Sequence, residues 1–322
     1  MNEKFKNLLN VFKSGRQGVP EQNPPTKRSP ELKRDSLHFE VGAEIQASKE
    51  HPQRTEDTPY LNKKAALFAV FDSMGGESSG QLSSIQASEA LNAQLQSMPM
   101  EIQPLLAQRV LIDTIQDIHT KLHELGRVIT NATGQETSNG STAIIAKLHN
   151  FQGKNYLTYA KVGDSRLYML RQGQLHCLTV DHNRKYIYFP KLEGLAKQRQ
   201  DSNSYDASAL YGSNELTYAL GLPDSRNRRQ PAQIQVEVET IDILPGDRVA
   251  LFSDGITDNL TENPVPQNKS LGNFSIQEVL SNNSTPEGAA KVAVTVAQEF
   301  SSRDDNARSK PDDTTAIVLD IK

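Results

Sequence analysis

The chain has almost no cysteine and no long apolar run, and each lack excludes a class of protein. Cys177 is its single cysteine, so an internal disulfide framework and a cysteine-built metal site are both excluded. Its apolar neighbours Leu175 and Leu178 favour a small core residue over a nucleophile. No apolar run approaches the roughly 18 residues that cross a bilayer, and residues 1–13 lack the apolar segment of a signal peptide. We therefore expect a cytoplasmic protein, with delivery elsewhere by another route left open.

An excess of positive charge is also missing. The formal net charge is −4, which argues against a general nucleic-acid binder. Hydrophobic residues make up 36% of the chain and charged residues 23%, a slightly polar balance that predicts some unpacked segments. The length still allows one large domain or two small ones with a sizeable core.

Residues 1–37 are predicted to be a separate, flexible segment. Apolar residues between Phe5 and Phe12 have the spacing of a short amphipathic helix, and a proline-rich linker follows from Pro20 to Pro30. A mostly disordered tail is the favoured interpretation, and a docking or membrane-surface anchor is the alternative. Residues 38–322 are then the folded domain, with a flap or insertion at about 181–230.

The apolar periodicity of the folded part predicts strands grouped with strands and helices grouped with helices. We expect an α+β fold in which two antiparallel sheets pack face to face with helices outside. Gln172-Gly173 is predicted to be a two-residue hairpin turn. The predicted helices are 77–98, 104–125 and 286–300, and the predicted strands begin near 38, 65, 141, 156, 166, 174, 234, 249 and 314.

Carboxylates stand where apolar strands end. Asp72 follows the run Ala65–Phe71, and Asp164, Asp254 and Asp312 have comparable positions. If these groups meet, neighbouring carboxylates about 4 Å apart repel by about 4 kcal/mol at an effective dielectric near 20, so they take up protons or hold a cation. Acids without histidine or cysteine partners suit magnesium or manganese better than zinc.

Six short motifs stand in one order along the chain, each in a matching strand context. Together they resemble the metal-dependent PPM family, the type 2C protein serine/threonine phosphatases, in its bacterial form. The motifs are Thr55-Glu56-Asp57, Phe71-Asp72-Ser73-Met74-Gly75-Gly76, Gly140-Ser141-Thr142-Ala143, Val162-Gly163-Asp164-Ser165-Arg166, Ser253-Asp254-Gly255-Ile256-Thr257-Asp258 and Asp312-Asp313-Thr314-Thr315.

This resemblance implies a four-layer α/β/β/α sandwich, with antiparallel helix pairs outside the sheets and a centre of two Mn²⁺ or Mg²⁺ ions at one end. It implies hydrolysis of phosphoserine and phosphothreonine in proteins by a metal-activated water, a phosphoprotein substrate and a monomeric enzyme. The same resemblance implies the metal and catalytic positions. Asp72 is the bridging ligand, the Ser73 carbonyl binds one ion, and Asp254 and Asp312 bind the second ion. Glu56 and Asp57 hold metal-bound waters, and Asp164 and Asp258 join Asp254 at a third ion found in some members.

Three positions depart from the family pattern. Ser73 replaces a glycine, which would strain the backbone if φ were positive there. Met74 stands where some members have a histidine that protonates the leaving group. Pro52 replaces the phosphate-binding arginine; Arg54 is the favoured substitute, ahead of His51 and Lys49.

These departures keep two alternatives open. One is a catalytically weak PPM-fold protein that acts as a binding or regulatory module, and the other is a hydrolase of different phosphate esters. Single residues have alternatives too: Asp57 as a turn cap and Asp164 as a hairpin residue or partner of Arg166. Asp313, where the family has asparagine, is interpreted as a neighbour of the site, and His182 as structural.

Overall fold

A computed structural model describes residues 37–74, 77–134, 140–183, 216–263, 274–303 and 310–322, without the side chains of 77–80. The predicted N-terminal segment up to residue 36 and most of the predicted flap, residues 184–215, lie outside the described residues. None of the helices in the described ranges has both the length and the apolar character that a membrane crossing requires.

In the part of the chain that the structure describes, eleven strands form two antiparallel sheets. In chain order they are β1 (Phe39–Gln46), β2 (Asp57–Asn62), β3 (Leu67–Met74), β4 (Gly140–Ser141), β5 (Ala143–Phe151), β6 (Lys154–Val162), β7 (Arg166–Arg171), β8 (Gln174–Cys177), β9 (Glu237–Asp242), β10 (Arg248–Phe252) and β11 (Thr314–Ile321). One sheet has the order β1-β11-β10-β7-β8, and the other has the order β2-β3-β5-β6-β9 with β4 paired to β3.

Within the described residues, five helices cover the outer faces of the sheets. They are α1 (Glu77–Leu95), α2 (Pro104–Thr133), α3 (Asp254–Thr257), α4 (Ile276–Asn282) and α5 (Pro286–Phe300). Pro104 and Pro286 begin their helices at a position where a missing N–H costs nothing. A capping box between Ser275 and Glu278 starts α4.

Three apolar cores separate the four layers. Phe68 and Val70 of β3 pack between the two sheets with Leu251 of β10 and Ile317 of β11. Leu67, Ala69 and Phe71 of the same strand face α1 and α2 instead. A third core joins the other sheet to α4 and α5 through residues such as Phe252 and Ala293. The predicted sandwich of two antiparallel sheets with helices outside is confirmed.

Several local predictions need correction or detail. The second helix was predicted to end near Leu125, but Gly126 does not stop it; Gly134, in the left-handed conformation with φ 71°, caps it after Thr133. Cys177 is exposed rather than a core residue, because it lies on the short edge strand β8. The turn Gln172-Gly173 has positive φ at both residues, as a two-residue hairpin requires.

Candidate metal centre

The C-terminal end of β3 brings acids from both sheets together. Side chains alternate along a strand, so Asp72 continues the row of Phe68 and Val70 toward the opposite sheet. The β2–β3 register places Asp57 directly opposite Asp72. From the other sheet, Asp254 follows β10 and Asp312 precedes β11. The strand register alone therefore directs these carboxylates into one region between the sheets.

Burial and mutual repulsion shift the pKa values of these acids upward. Burial raises the pKa of Asp57 to about 8, against the effect of the nearby Thr315 and Ser253 hydroxyls. Burial, followed by the charges of Asp57, Asp254, Asp312 and Asp164, holds the pKa of Asp72 well above its ordinary value. Burial and Asp254 likewise raise the pKa of Asp312 to about 6. The cluster thus carries more negative charge than its surroundings compensate.

The two remaining acids of the set belong to the same electrostatic group. The pKa of Asp164 is raised well above its usual range, first by burial and then by Asp254. The pKa of Asp258 is raised by the same two causes in the same order. Asp57, Asp72, Asp164, Asp258 and Asp312 thus each lie within electrostatic range of Asp254.

The donor chemistry of this region fits a hard divalent cation. Asp57 is 3% exposed, yet neither of its carboxylate oxygens has a hydrogen-bond partner among the described residues, and the same is true of Oδ1 of Asp254. Buried carboxylate oxygens without partners are costly unless they are protonated or bind a cation. The described part of the chain nevertheless contains no group of three or more Asp, Glu, His or Cys side chains already arranged to hold a metal ion.

Backbone and hydroxyl contacts fix the position of Asp72. Its carbonyl oxygen accepts from the Thr142 N–H at 2.6 Å and from the Ser141 hydroxyl at 3.1 Å. Its own N–H donates to Thr142 Oγ1 at 3.2 Å, and Thr142 Oγ1 lies 2.8 Å from Ser165 Oγ. The Gly-Ser-Thr-Ala motif is thus a support for Asp72, and it links that residue to the loop that carries Asp164.

Gly255 allows the two acid loops of the other sheet to touch. A Cβ atom at this residue would collide with the carbonyl oxygen of Asp313, so only glycine fits there without a shift. The Ser253 hydroxyl accepts from the Thr315 N–H at 2.9 Å, beside the same contact. These contacts hold Asp254 and Asp312 next to one another.

Asp313 uses both carboxylate oxygens to hold the loop before β2. Oδ1 accepts from the Ser48 N–H at 2.7 Å, and Oδ2 accepts from the Glu56 N–H at 2.5 Å. The Glu56 carbonyl accepts from the hydroxyls of Ser73 and Ser84 at 2.8 and 2.6 Å. With its lone pairs directed at backbone N–H groups, Asp313 has the geometry of a supporting neighbour.

Arg54 and His51 are two basic residues of this loop that lie beside carboxylates. Its Nη2 is 3.7 Å from Glu56 Oε1, whereas Lys49 Nζ donates to Ser302 Oγ at 2.5 Å. His51 Nδ1 lies 3.6 Å from Asp313 Oδ1 and 3.2 Å from the Arg54 carbonyl. Burial raises the pKa of Glu56, and the Arg54 charge opposes that shift.

Sequence reasoning missed one member of the site, Lys310. Its Nζ donates to Asp254 Oδ2 and lies 2.9 Å from Asp312 Oδ2 and 3.2 Å from Asp258 Oδ2. The available signal was a lysine two residues before the predicted ligand Asp312. Beside the site, Arg166 pairs with Asp181 through two hydrogen bonds of 2.8 and 2.7 Å, so it is a neighbour of Asp164 rather than its partner.

Comparisons with known proteins agree with this architecture. Residues 42–185 match the family profile "Protein phosphatase 2C", and residues 206–322 match "Stage II sporulation protein E". The protein phosphatase PhpP of Streptococcus pneumoniae is 26% identical over 219 residues, which is 65% of this chain and 76% of PhpP.

Solved structures share the fold at low sequence identity. A serine/threonine phosphatase of S. agalactiae has a TM-score of 0.65 at 20% identity, covering 88% of this chain and 100% of that one. The catalytic domain of the phosphatase PstP in complex with two manganese ions has a TM-score of 0.62 at 19% identity, covering 89% and 99%. These two similarities concern the fold.

Proposed function

We propose that this chain, which is similar to the protein phosphatase 2C (PPM) family over residues 42–185 and to the bacterial phosphatase PhpP, is a bacterial-type member of that family and hydrolyses phosphoserine and phosphothreonine in proteins with divalent metal ions. Its substrate is then a phosphoprotein, and it acts as a monomer in the cytoplasm. The manganese-bound relative PstP supports Mn²⁺ or Mg²⁺ as the metal.

One observation carries the proposal: buried carboxylates from both sheets converge, and several of their oxygens have no hydrogen-bond partner in the described part of the chain. Asp57 and Asp254 supply three such oxygens, and Asp72 lies among four other acids that raise its pKa. A structural cluster would pair these groups with hydroxyls or cations, because an unpaired buried charge costs several kcal/mol. A site built for an added cation leaves them unpaired.

The residues that would hold the metals are those of the converging set. Asp72 is the proposed bridging ligand, supported by Ser141 and Thr142. The other proposed metal-site residues are the Ser73 carbonyl, Asp254, Asp312, Glu56, Asp57, Asp164 and Asp258. When bound, the ions would supply a water nucleophile at neutral pH and would offset charge on the phosphoryl oxygens.

Arg54 is the proposed substrate-phosphate ligand. Its side chain is partly exposed and lies at the edge of the acid cluster beside Glu56, so its guanidinium can bind a phosphate in a bidentate fashion. Met74 provides no proton for the leaving oxygen, which must receive one from water or another group.

The test is phosphopeptide hydrolysis by wild type, Asp72→Asn and Asp254→Asn, each with Mn²⁺ and with a chelator. We expect each substitution, and chelation of wild type, to lower turnover on the order of 10³-fold, since metal stabilisation of a phosphoryl transition state is worth several kcal/mol. Asp242→Asn is the matched control, because Asp242 is exposed at the end of β9. Activity that survived chelation and both site substitutions would contradict the proposal.

A second candidate is a catalytically weak protein that uses this fold as a binding or regulatory module. The presence of the Lys310 amine among the acids favours it, as does the absence of a proton donor at Met74. Tight phosphopeptide binding without turnover, at saturating Mn²⁺, would support this candidate over the first.

A further inference from the structure

Lys310 places a positive charge inside the acid cluster. Its Nζ contacts Asp254, Asp258 and Asp312, at 2.9 Å for Asp312 and 3.2 Å for Asp258. An ammonium group has three N–H donors, so three carboxylates match its donors one for one. The Lys310 side chain is 36% exposed, so it lies at the solvent-facing side of the cluster.

Asn259 fixes the backbone of Lys310 through two hydrogen bonds. The Lys310 N–H donates to Asn259 Oδ1 at 3.1 Å, and Asn259 Nδ2 donates to the Lys310 carbonyl at 2.9 Å. Asn259 is buried, and its Nδ2 also donates to the Gly255 carbonyl at 2.8 Å. The loop that carries Lys310 is thus tied to α3, the helix that begins with Asp254.

The cation is on one side of the cluster only. The ion pairs of Lys310 include Asp254, Asp258 and Asp312, whereas both oxygens of Asp57 lack a hydrogen-bond partner among the described residues. Asp57 and Asp72 lie opposite one another in the β2–β3 register, on the sheet that does not carry the three partners of Lys310. The acid set is therefore divided into a part that Lys310 contacts, in which Asp254 Oδ1 still lacks a partner among the described residues, and a part without a contacting cation among those residues.

We propose that Lys310 is an internal counter-cation that takes the place of one divalent ion at Asp254, Asp258 and Asp312. A metal ion then binds first on the side of Asp57 and Asp72, and binding beside Lys310 requires its ammonium to move out. The inference rests on the proposed metal dependence of the site. It predicts that wild type binds fewer divalent ions than the same set of acids would bind without Lys310.

The principal test is calorimetric titration of the metal-free full-length chain with Mn²⁺. Lys310→Met is expected to bind one additional Mn²⁺ per chain, or to bind Mn²⁺ at least tenfold more tightly than wild type. Lys322→Met is the matched control, because Lys322 is a surface lysine whose Nζ lies 2.9 Å from the exposed Glu40. This control is expected to match wild type.

A second measurement uses wild type and does not depend on how the variant folds. Lysine acylation followed by peptide mass spectrometry should show Lys310 reacting several-fold faster with saturating Mn²⁺ than without metal. Lys322 should react at the same rate in both conditions. Unchanged Lys310 reactivity at saturating Mn²⁺, together with equal Mn²⁺ stoichiometry and affinity in wild type and Lys310→Met, would overturn the inference.

The outcomes separate this inference from the proposed function. Equal Mn²⁺ stoichiometry and affinity in wild type and Lys310→Met, with binding still lost in Asp72→Asn, would overturn the inference and leave the proposed function intact. Binding by Lys310→Met but not by wild type would support the inference and count against metal-dependent catalysis by the natural chain. Absence of Mn²⁺ binding in both proteins would overturn both.

Discussion

The two ends of β3 bury charge in opposite ways. At its C-terminal end, Asp72 lies among several acids, and Lys310 is the lysine that contacts three of them within the described residues. At its N-terminal end, Leu67 pairs with Lys147 of β5, a lysine that is 0% exposed. The two ends are five residues, or about 17 Å, apart.

Neither end has enough opposite charge, and the consequence is the same at both. Lys147 Nζ donates to the Ala65 carbonyl, and its other contact is Met100 Sδ at 3.8 Å. Burial lowers the pKa of Lys147 to about 7, whereas burial raises the pKa of Asp57 to about 8. A buried group without a counter-ion moves toward its neutral form. The C-terminal end of β3, here called the acid end, differs because an added cation can restore the charged form of its carboxylates.

The substitution Asp57→Asn in metal-free protein tests the acid end, and we expect it to have the largest effect on stability. Folded Asp57 titrates near pH 8 and unfolded Asp near 3.9, so between these values the folded state binds more protons. Wild-type stability should therefore fall as pH rises from 4 to 8. Asparagine removes this loss, and we expect the variant to be more stable at pH 8 on the order of 3 kcal/mol. Chemical denaturation in chelator at pH 4, 6 and 8 measures the difference.

Manganese makes the same comparison sharper. Added Mn²⁺ at pH 8 should stabilise wild type more than Asp57→Asn, because the variant has lost a charged partner for the ion. Asp242→Asn, an exposed substitution, should behave as wild type at every pH. A flat wild-type stability between pH 4 and 8 in chelator would contradict the uncompensated state of the acid end.

The acid end left a local signal in the sequence, because acids stand where apolar runs end. Asp72 lies near the end of β3, Asp254 follows β10 and Asp312 precedes β11, and antiparallel pairing brings such ends together. The contact between Lys310 and three acids was missed, since it depends on Asn259 holding a loop in place. Lys147 was also missed, because a lysine in the run Ala143–Phe151 fits an alternating strand equally well when exposed.

The predicted end of the second helix and the predicted burial of Cys177 were wrong because both depend on packing between elements. The second helix was predicted to end at residue 125, but α2 continues through Gly126 to Thr133 and is capped by Gly134. A glycine inside a helix costs only about 1 kcal/mol. The apolar neighbours of Cys177 suggested burial, yet β8 pairs with only one strand, β7. Local pattern predicts the type of element, while burial depends on what packs against it.

The second-largest effect on stability is expected for Lys147→Met, which tests the N-terminal end of β3, where Lys147 pairs with Leu67. Unfolded lysine titrates near 10.4, and folded Lys147 titrates near 7, so between these values the unfolded state binds more protons and stability rises with pH. Below pH 7 the full cost of burying the charge is present. Methionine removes that cost but leaves the Ala65 carbonyl without its donor, and we expect a net gain at pH 6 on the order of 2 kcal/mol. The gain should disappear near pH 10 in denaturation experiments.

Lys161→Met is the matched control for this prediction. Lys161 is equally buried, but its Nζ lies 3.7 Å from the Glu237 carboxylate. Burial also lowers the pKa of Lys161, but the charges of Asp181, Glu237 and Asp164 oppose that shift, so Lys161→Met should gain less stability at pH 6 than Lys147→Met. If the two variants changed stability equally at pH 6, the two lysines would be equivalent and the comparison of the two ends of β3 would fail.

The smallest effect concerns Ser73, beside Asp72 at the acid end. A serine in place of glycine would be strained if its φ were positive, yet the described non-glycine residues with positive φ are Ala66, Gln152 and Gln172. Its hydroxyl instead donates to the Glu56 carbonyl at 2.8 Å. Ser73→Gly should therefore destabilise the protein by about 1 kcal/mol through the lost hydrogen bond and the added backbone freedom. Turnover should stay close to wild type, because the proposed ligand at this position is the backbone carbonyl.

Ser73→Ala separates the two causes, since it removes the hydrogen bond without freeing the backbone. We expect its stability to lie between those of wild type and Ser73→Gly when urea midpoints are compared. A glycine variant more stable than wild type would mean that serine strains this turn. The acid end would then carry a backbone cost in addition to its uncompensated charge. Because Ser73 lies in an ordinary strand conformation, we expect charge alone to distinguish the two ends of β3.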